Sequence, residues 1–148
     1  MEKIKLLICG TRTFDDYEFF KKTMVSIMTM LKDKFPEIQR SDLEIVSGGA
    51  KGADSFAERF AERFANKNNI LFTKFEADRD GKGKSAGYSR NIDMAEYLKD
   101  CPESFVIAFW DGKSKGTKNM LHLAMMYNYQ RVLINYIDNS ISLDSIKP

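Results

Sequence analysis

Leu43-Glu44-Ile45-Val46-Ser47-Gly48-Gly49-Ala50-Lys51-Gly52-Ala53-Asp54 is the stretch whose reading decides the fold. A short apolar run, Leu43 to Val46, reads as a strand. The glycine-rich turn from Ser47 to Asp54 follows it. Ala53, Phe56, Ala57, Phe60, Ala61 and Phe64 then recur at helical spacing, so a helix is expected from Asp54 to about Asn66. A small turn between strand and helix lets backbone N–H groups approach an anion, and the helix N-terminus adds a positive partial charge. The turn lacks the Gly-Lys-Ser/Thr ending of a P-loop, so ATP hydrolysis is not indicated. It also lacks the GxGxxG spacing of a conventional NAD-dependent oxidoreductase.

The same grammar repeats on either side. Ile4 to Cys9 is a nearly continuous apolar run, as expected of a strand buried on both faces, and Gly10-Thr11-Arg12-Thr13 follows it. Asp15 to Lys34 reads as a helix with Phe19, Phe20, Met24, Ile27, Met28 and Leu31 on its apolar face, stopped by Pro36. Ile70 to Phe75 is a third strand, and Arg90 to Lys99 a third helix with Ile92, Ala95 and Leu98 inward. Phe105 to Trp110 is a fourth strand, followed by a third turn, Asp111-Gly112-Lys113-Ser114-Lys115-Gly116-Thr117. Thr117 to Tyr129 is the fourth helix and Arg131 to Asn135 the fifth strand. The basic, glycine-rich segment 78–87 reads either as a surface loop or as a ligand lid.

Strands alternating with helices imply an α/β fold. The expectation is a Rossmann-like three-layer sandwich on a mainly parallel five-stranded sheet. Right-handed crossovers favour the order 3-2-1-4-5. The domain then spans residues 1–137, with 138–148 as a polar C-terminal tail. In that order the switch point lies between strands one and four, where ligands bind at the carboxyl ends. Two of the three turns follow those strands, and the third follows their neighbour, strand two.

Composition narrows the function classes. With 148 residues, 43% apolar and 30% charged, the chain has the make-up of one ordinary globular domain. Its 23 basic and 21 acidic residues give a net charge of +2, too small a basic excess to argue for nucleic-acid binding. Cys9 and Cys101 form no CxxC, and His122 is the only histidine, so no metal site is expected. Cys9 is read as a packed, reduced thiol, and His122, inside the fourth helix, as structural. The chain opens on a charged strand start without a signal-peptide pattern. No apolar stretch approaches the ~20 residues of a membrane span. A cytoplasmic protein without membrane contact is therefore expected.

The turns supply the candidate site. Gly48, Gly49 and Gly52 offer backbone donors to phosphate, with Gly10, Thr11, Gly112 and Gly116 in the companion turns. Arg12, Lys51 and Lys115 balance charge, and Ser47, Ser114 and Thr117 supply hydroxyls. Trp110 is either a core side chain or a stacking platform for a base. Asp111 is read as a base or ribose contact. Asp54 either caps the second helix or binds a ribose hydroxyl. Arg90, with Asn91 beside it, closes the pocket from the third helix. No nucleophile–base pair stands out; Arg90, Asp111 and Asp54 are the only catalytic candidates. Asp78, in the polar segment, is a further carboxylate without a distinguishing pattern.

Taken together, Gly10-Thr11-Arg12-Thr13-Phe14-Asp15, Ser47 to Asp54, Ala86-Gly87 with Arg90-Asn91, and Phe109-Trp110-Asp111-Gly112 with Gly116-Thr117 resemble the YspA/YpsA-related SLOG family over residues 4–135. The resemblance implies a Rossmann-like pocket for a nucleotide or nucleotide-derived ligand, no required cofactor, a homo-oligomer such as a dimer, and a bacterial or phage setting. Met125, Met126 and Tyr127 are compatible with a helix-face interface. Sensing or sequestering a small-molecule nucleotide ligand is the expected role. Related Lonely Guy phosphoribohydrolases imply an alternative, nucleotide N-glycosidic hydrolysis, in which Arg90 resembles their arginine. Those enzymes carry a glutamate shortly after a Gly-Gly-x-Gly-Thr turn; this chain has Lys118, Asn119 and Met120 there. A second alternative, single-stranded DNA binding of DNA-processing type, rests on the Ser-Gly-x-Ala-x-Gly-x-Asp likeness and sits poorly with the near-neutral charge.

Overall fold

A computed structural model of the chain describes residues 3–76 and 85–145. Segment 77–84, which holds Asp78 and most of the expected lid, lies outside the described residues.

The elements are β1 (Ile4–Gly10), α1 (Tyr17–Lys34), β2 (Leu43–Ser47), α2 (Ala53–Phe60), β3 (Leu71–Lys74), α3 (Ser85–Tyr97), β4 (Phe105–Phe109), α4 (Lys115–Met126), β5 (Gln130–Asn135) and β6 (Ser140–Ser145). They build one six-stranded sheet in the order β3-β2-β1-β4-β5-β6. The first five strands pair in parallel, with Leu6 opposite both Ile45 and Phe105. The expected α/β class and the order 3-2-1-4-5 hold. The sheet is one strand wider than expected.

That sixth strand corrects the polar tail. Residues 140–145 return antiparallel along β5, with Asn135 opposite Ser140 and Gln130 opposite Ser145. Asn135 makes the reversal. Its side-chain oxygen accepts from the Ile137 and Asp138 N–H groups at 2.9 and 3.4 Å, and Asn139 takes the left-handed conformation at φ 58°. The spacing of Ile141 and Leu143 is a strand period that polarity concealed.

The near-continuous apolar strands split by parity into two cores. Ile4, Leu6 and Ile8 face α1 and α2 with Phe20, Met24, Ile45, Ala57, Phe60 and Phe109. Leu7 and Cys9 face α3 and α4 with Val46, Met94, Leu98, Val106, Met120 and Ala124. Residues on both faces are buried because both faces carry helices. Asp16 caps α1 by accepting from Phe19 N–H at 3.0 Å, and Lys32 and Lys34 sit at its negative end.

Two helices differ from expectation. The regular α-helix after the Ser47–Asp54 turn ends at Phe60, and a π-helical turn, Ala61–Ala65, carries the chain on. α3 begins at Ser85, earlier than Arg90, and Ile92 is 48% exposed on its outer side instead of inward. Among the described residues no helix is long and apolar enough to cross a membrane.

Candidate functional site

Parallel strands deliver their chain ends to one edge. The turns after β1 and β4, the start of α2 and the first turns of α3 enclose a cleft of about 830 Å³ there. Gly10, Thr11, Arg12 and Thr13 line it from β1, Asp111 and Lys113 to Thr117 from the β4 side, and Ala50 and Asp54 from the β2 side. Gly87, Tyr88, Arg90, Asn91 and Met94 close it from α3, with Cys9 and Met120 beneath.

Each wall has a physical cause. Thr11 is buried; its N–H donates to Phe109 O at 2.9 Å and its Oγ1 accepts from Asp111 N–H at 3.1 Å, lashing the β1 and β4 turns together. Asp111 Oδ1 accepts from Lys113 and Ser114 N–H at 2.8 and 2.9 Å. Those two bonds fold the turn and hold the carboxyl below the usual carboxylate range. Asp111 is therefore ionised and engaged, which is poor for an acid catalyst. Lys118 N–H closes the first α4 turn on Ser114 O at 3.1 Å, while the Ser114 side chain makes no cap bond. The opening N–H groups of a helix have no intrahelical acceptor. Those of Lys115, Gly116 and Thr117 stand at the cleft, and a side chain built on Gly116 would meet nothing within 4 Å.

Arg90 crosses from α3 to the Ser47–Asp54 turn. Its Nη1 donates to Gly48 O at 2.8 Å. A Cβ at Gly48 would lie 2.7 Å from the guanidinium carbon, so only glycine admits that approach. Asn91 Nδ2 donates to Gly116 O and to Asn119 Oδ1 at 3.2 and 2.9 Å, fastening α3 to the start of α4. Asn119 is thus a packing amide.

Asp54 is the chemically unusual group. It is 5% exposed on the first turn of α2, and its Oδ2 accepts from Ala50 N–H at 3.1 Å. Its Oδ1 is buried and has no hydrogen-bond partner among the described residues. Burial pushes its carboxyl up to about 6, against the pull of Arg90, the Ala50 bond and Arg12. Gly52, at φ 75°, caps α2 with no room for a side chain, since a Cβ there would lie 2.3 Å from Thr11 O. Cys9 beneath is also shifted upward, first by burial and then by the Asp54 charge, so it is a thiol and not a nucleophilic thiolate.

Several expected contacts fall elsewhere. Ser47 is fully buried and donates its hydroxyl to Asp54 O at 3.3 Å; it does not reach the cleft. Trp110 packs against the α3/α4 core and donates its indole N–H to Ser114 O at 3.1 Å, so it buttresses the β4 turn and is not a stacking platform. Gly48, Gly49 and Lys51 line a smaller neighbouring pocket of about 440 Å³ with Glu76, joined to the cleft through the shared Arg12, Ala50 and Arg90. Gly52 and Gly112 shape turns without lining either pocket. His122 is exposed on α4, outside the cleft. Met125 and Met126 are 42% and 64% exposed on the same helix.

Sequence reading missed Cys9, Tyr88, Met94 and Met120 as cleft residues. Gly87, Arg90 or Asn91, and Met94 repeat at helical spacing, a stripe that becomes visible once α3 is started at Ser85. No group of three or more His, Cys, Asp or Glu side chains among the described residues is placed to hold a metal ion. The chain matches no protein-family model and no curated protein.

Proposed function

We propose that the cleft binds a phosphate-bearing small molecule, a nucleotide or a nucleotide-derived compound, and that the protein acts as a sensor or sequestering protein of SLOG type. The supporting observation is the open N-terminus of α4, with Arg12, Lys113 and Lys115 lining the same cleft. Helix N-termini attract anions through free N–H groups and the macrodipole. Four basic side chains, Arg12, Arg90, Lys113 and Lys115, line the cleft against two carboxylates. One of those, Asp111, is already neutralised by backbone donors. The topological switch point between β1 and β4 is the customary ligand position in such sheets.

Calorimetric titration with inorganic phosphate, nucleoside monophosphates and diphosphates, cyclic nucleotides and ADP-ribose tests the reading. At least one binds more tightly than millimolar; failure of all of them overturns it. Binding stands ahead of N-glycosidic hydrolysis because Cys9 is a thiol, Asp111 is engaged, and Asn119 is tied to Asn91. Release of free base from AMP, GMP, CMP or UMP near the ~10 s⁻¹ of ordinary enzymes would reverse that order.

A further inference from the structure

Buried polar atoms in folded proteins nearly always find partners, and an exception asks for a cause. Among the described residues Asp54 Oδ1 is such an exception, and Asp54 lines the cleft. Its sister oxygen is already held by Ala50 N–H, which fixes the carboxylate plane. A carboxylate oxygen accepts and, when ionised, cannot donate, so its missing partner is a donor.

The position of that acceptor limits the donor. Asp54 opens the helix that follows β2, and the anion seat opens the helix that follows β4. β2 and β4 flank β1, so at the usual strand spacing their ends are about 10 Å apart. A pentose 5-phosphate carries its ring hydroxyls on C2 and C3, joined to phosphorus through C4, C5 and O5. Asp54 and Lys115 to Thr117 line the same cleft, and with hydrogen bonds of about 2.8 Å at each end the molecule spans a separation of that order.

We propose that Asp54 Oδ1 receives the ring hydroxyls of a pentose 5-phosphate whose phosphate sits on the α4 N-terminus, so that the cleft selects ribose over deoxy sugars. The inference rests on the anion-binding reading above and names the ligand's second point of attachment. Asp54 is a recognition residue in this scheme, and no bond is made or broken.

The test separates sugar from phosphate. Ribose 5-phosphate and inorganic phosphate are titrated by calorimetry into the wild-type chain and into Asp54→Ala. At about pH 8 the wild type favours ribose 5-phosphate by about tenfold or more, and Asp54→Ala loses that preference while keeping its affinity for inorganic phosphate. Thermal unfolding verifies that the variant is folded. Equal affinity of the wild type for both ligands overturns the inference and leaves the anion seat standing. If neither ligand binds, both readings fall.

A wild-type arm covers a variant that does not fold. The common ribonucleoside 5′-monophosphates are compared with their 2′,3′-dideoxy counterparts, again with about a tenfold preference expected at pH 8 and a smaller one at about pH 5. Among the described residues, the charged and titratable groups facing Asp54 are Arg90 from α3, Arg12 from the β1 turn and Cys9 from β1. The Cys9 thiol is shifted upward and does not titrate in that window. Phosphate titration is shared by each ligand pair and cancels in the ratio. A ratio of one at pH 8, or one that does not fall with pH, overturns the proposal.

Discussion

The two ends of the sheet bury charge in opposite ways. At the amino end, Lys5 and Glu44 face each other across β1 and β2 and are 4% and 3% exposed. Lys5 Nζ donates to Tyr97 O at 2.7 Å and to Asp100 at 3.0 Å, and lies 3.7 Å from the centre of the Tyr97 ring. Glu44 Oε2 accepts from Thr73 Oγ1 at 2.9 Å and from the Tyr97 hydroxyl, and Lys3 stands 3.7 Å from its other oxygen. At the carboxyl end, Asp54 is equally buried and keeps one oxygen unpartnered among the described residues. The same low-dielectric surroundings that strengthen a satisfied network make an unsatisfied group costly. One end is finished as structure. At the other, the residue with the unpartnered oxygen lines a cleft.

The largest test of this contrast is at the finished end. Glu44→Ala leaves two hydroxyls without an acceptor in the α3/α4 layer and is expected to destabilise the fold by about 3 kcal/mol. Urea unfolding followed by circular dichroism measures it. A loss below about 1 kcal/mol, the range of exposed ion pairs, would mean that the amino-end network is not the internal one the distances describe.

The open end should respond with the opposite sign. The Asp54 carboxyl rises from 3.8 to about 6 on folding, so the native state holds its proton more tightly than the unfolded chain. The resulting cost is absent below the unfolded value and complete above the folded one, so Asp54 lowers stability as pH rises from about 4 to about 6. That rise corresponds to about 2 to 3 kcal/mol. Asp54→Asn resembles the protonated form and keeps an oxygen for Ala50 N–H. It should stabilise the ligand-free protein by about 2 kcal/mol at pH 8 and by nothing at about pH 3.5. Melting curves across that range decide it. A variant less stable than wild type at pH 8 would mean that Asp54 is as well satisfied as Glu44.

How far the sequence carries follows from this same contrast. β1, β2 and β4 were legible because a strand covered on both faces is apolar at every position, and the turns after them were legible because glycine and hydroxyl residues cluster where chain must bend at a strand end. Strand order came from connection handedness, which acts on the chain as a whole. Side-chain direction at strand ends was not legible. Ser47 and Trp110 sit at the carboxyl edge as expected, yet Ser47 points at the Asp54 carbonyl and Trp110 into the core. A single step in a period of two decides such cases, and composition does not reveal it. Asp54 was read as a cap or a ribose contact; the structure shows one oxygen serving Ala50 N–H and the other without a partner among the described residues, a division within one carboxylate that no pattern of residues records. β6 escaped because four of its six residues are polar, as an edge strand allows.

The smallest effect on stability is expected at Arg12, where function and fold should separate most cleanly. Its side chain is exposed, at the mouth shared by the cleft and the neighbouring pocket. Its attraction for the Asp54 charge is the weakest of the influences on that carboxyl. Arg12→Ala should therefore move the unfolding free energy by no more than about 0.5 kcal/mol, as surface substitutions do. Phosphate binding should weaken by about 1.5 to 3 kcal/mol, the worth of hydrogen bonds to a charged group. Arg12→Lys, which keeps the charge and loses the planar fork, should fall between the two. Calorimetry with the tightest ligand of the panel, beside urea curves for the same preparations, gives both numbers. Unchanged affinity would remove Arg12 from the site. A stability loss matching the affinity loss would make Arg12 part of the structure, and the carboxyl end would then be finished in the same way as the amino end.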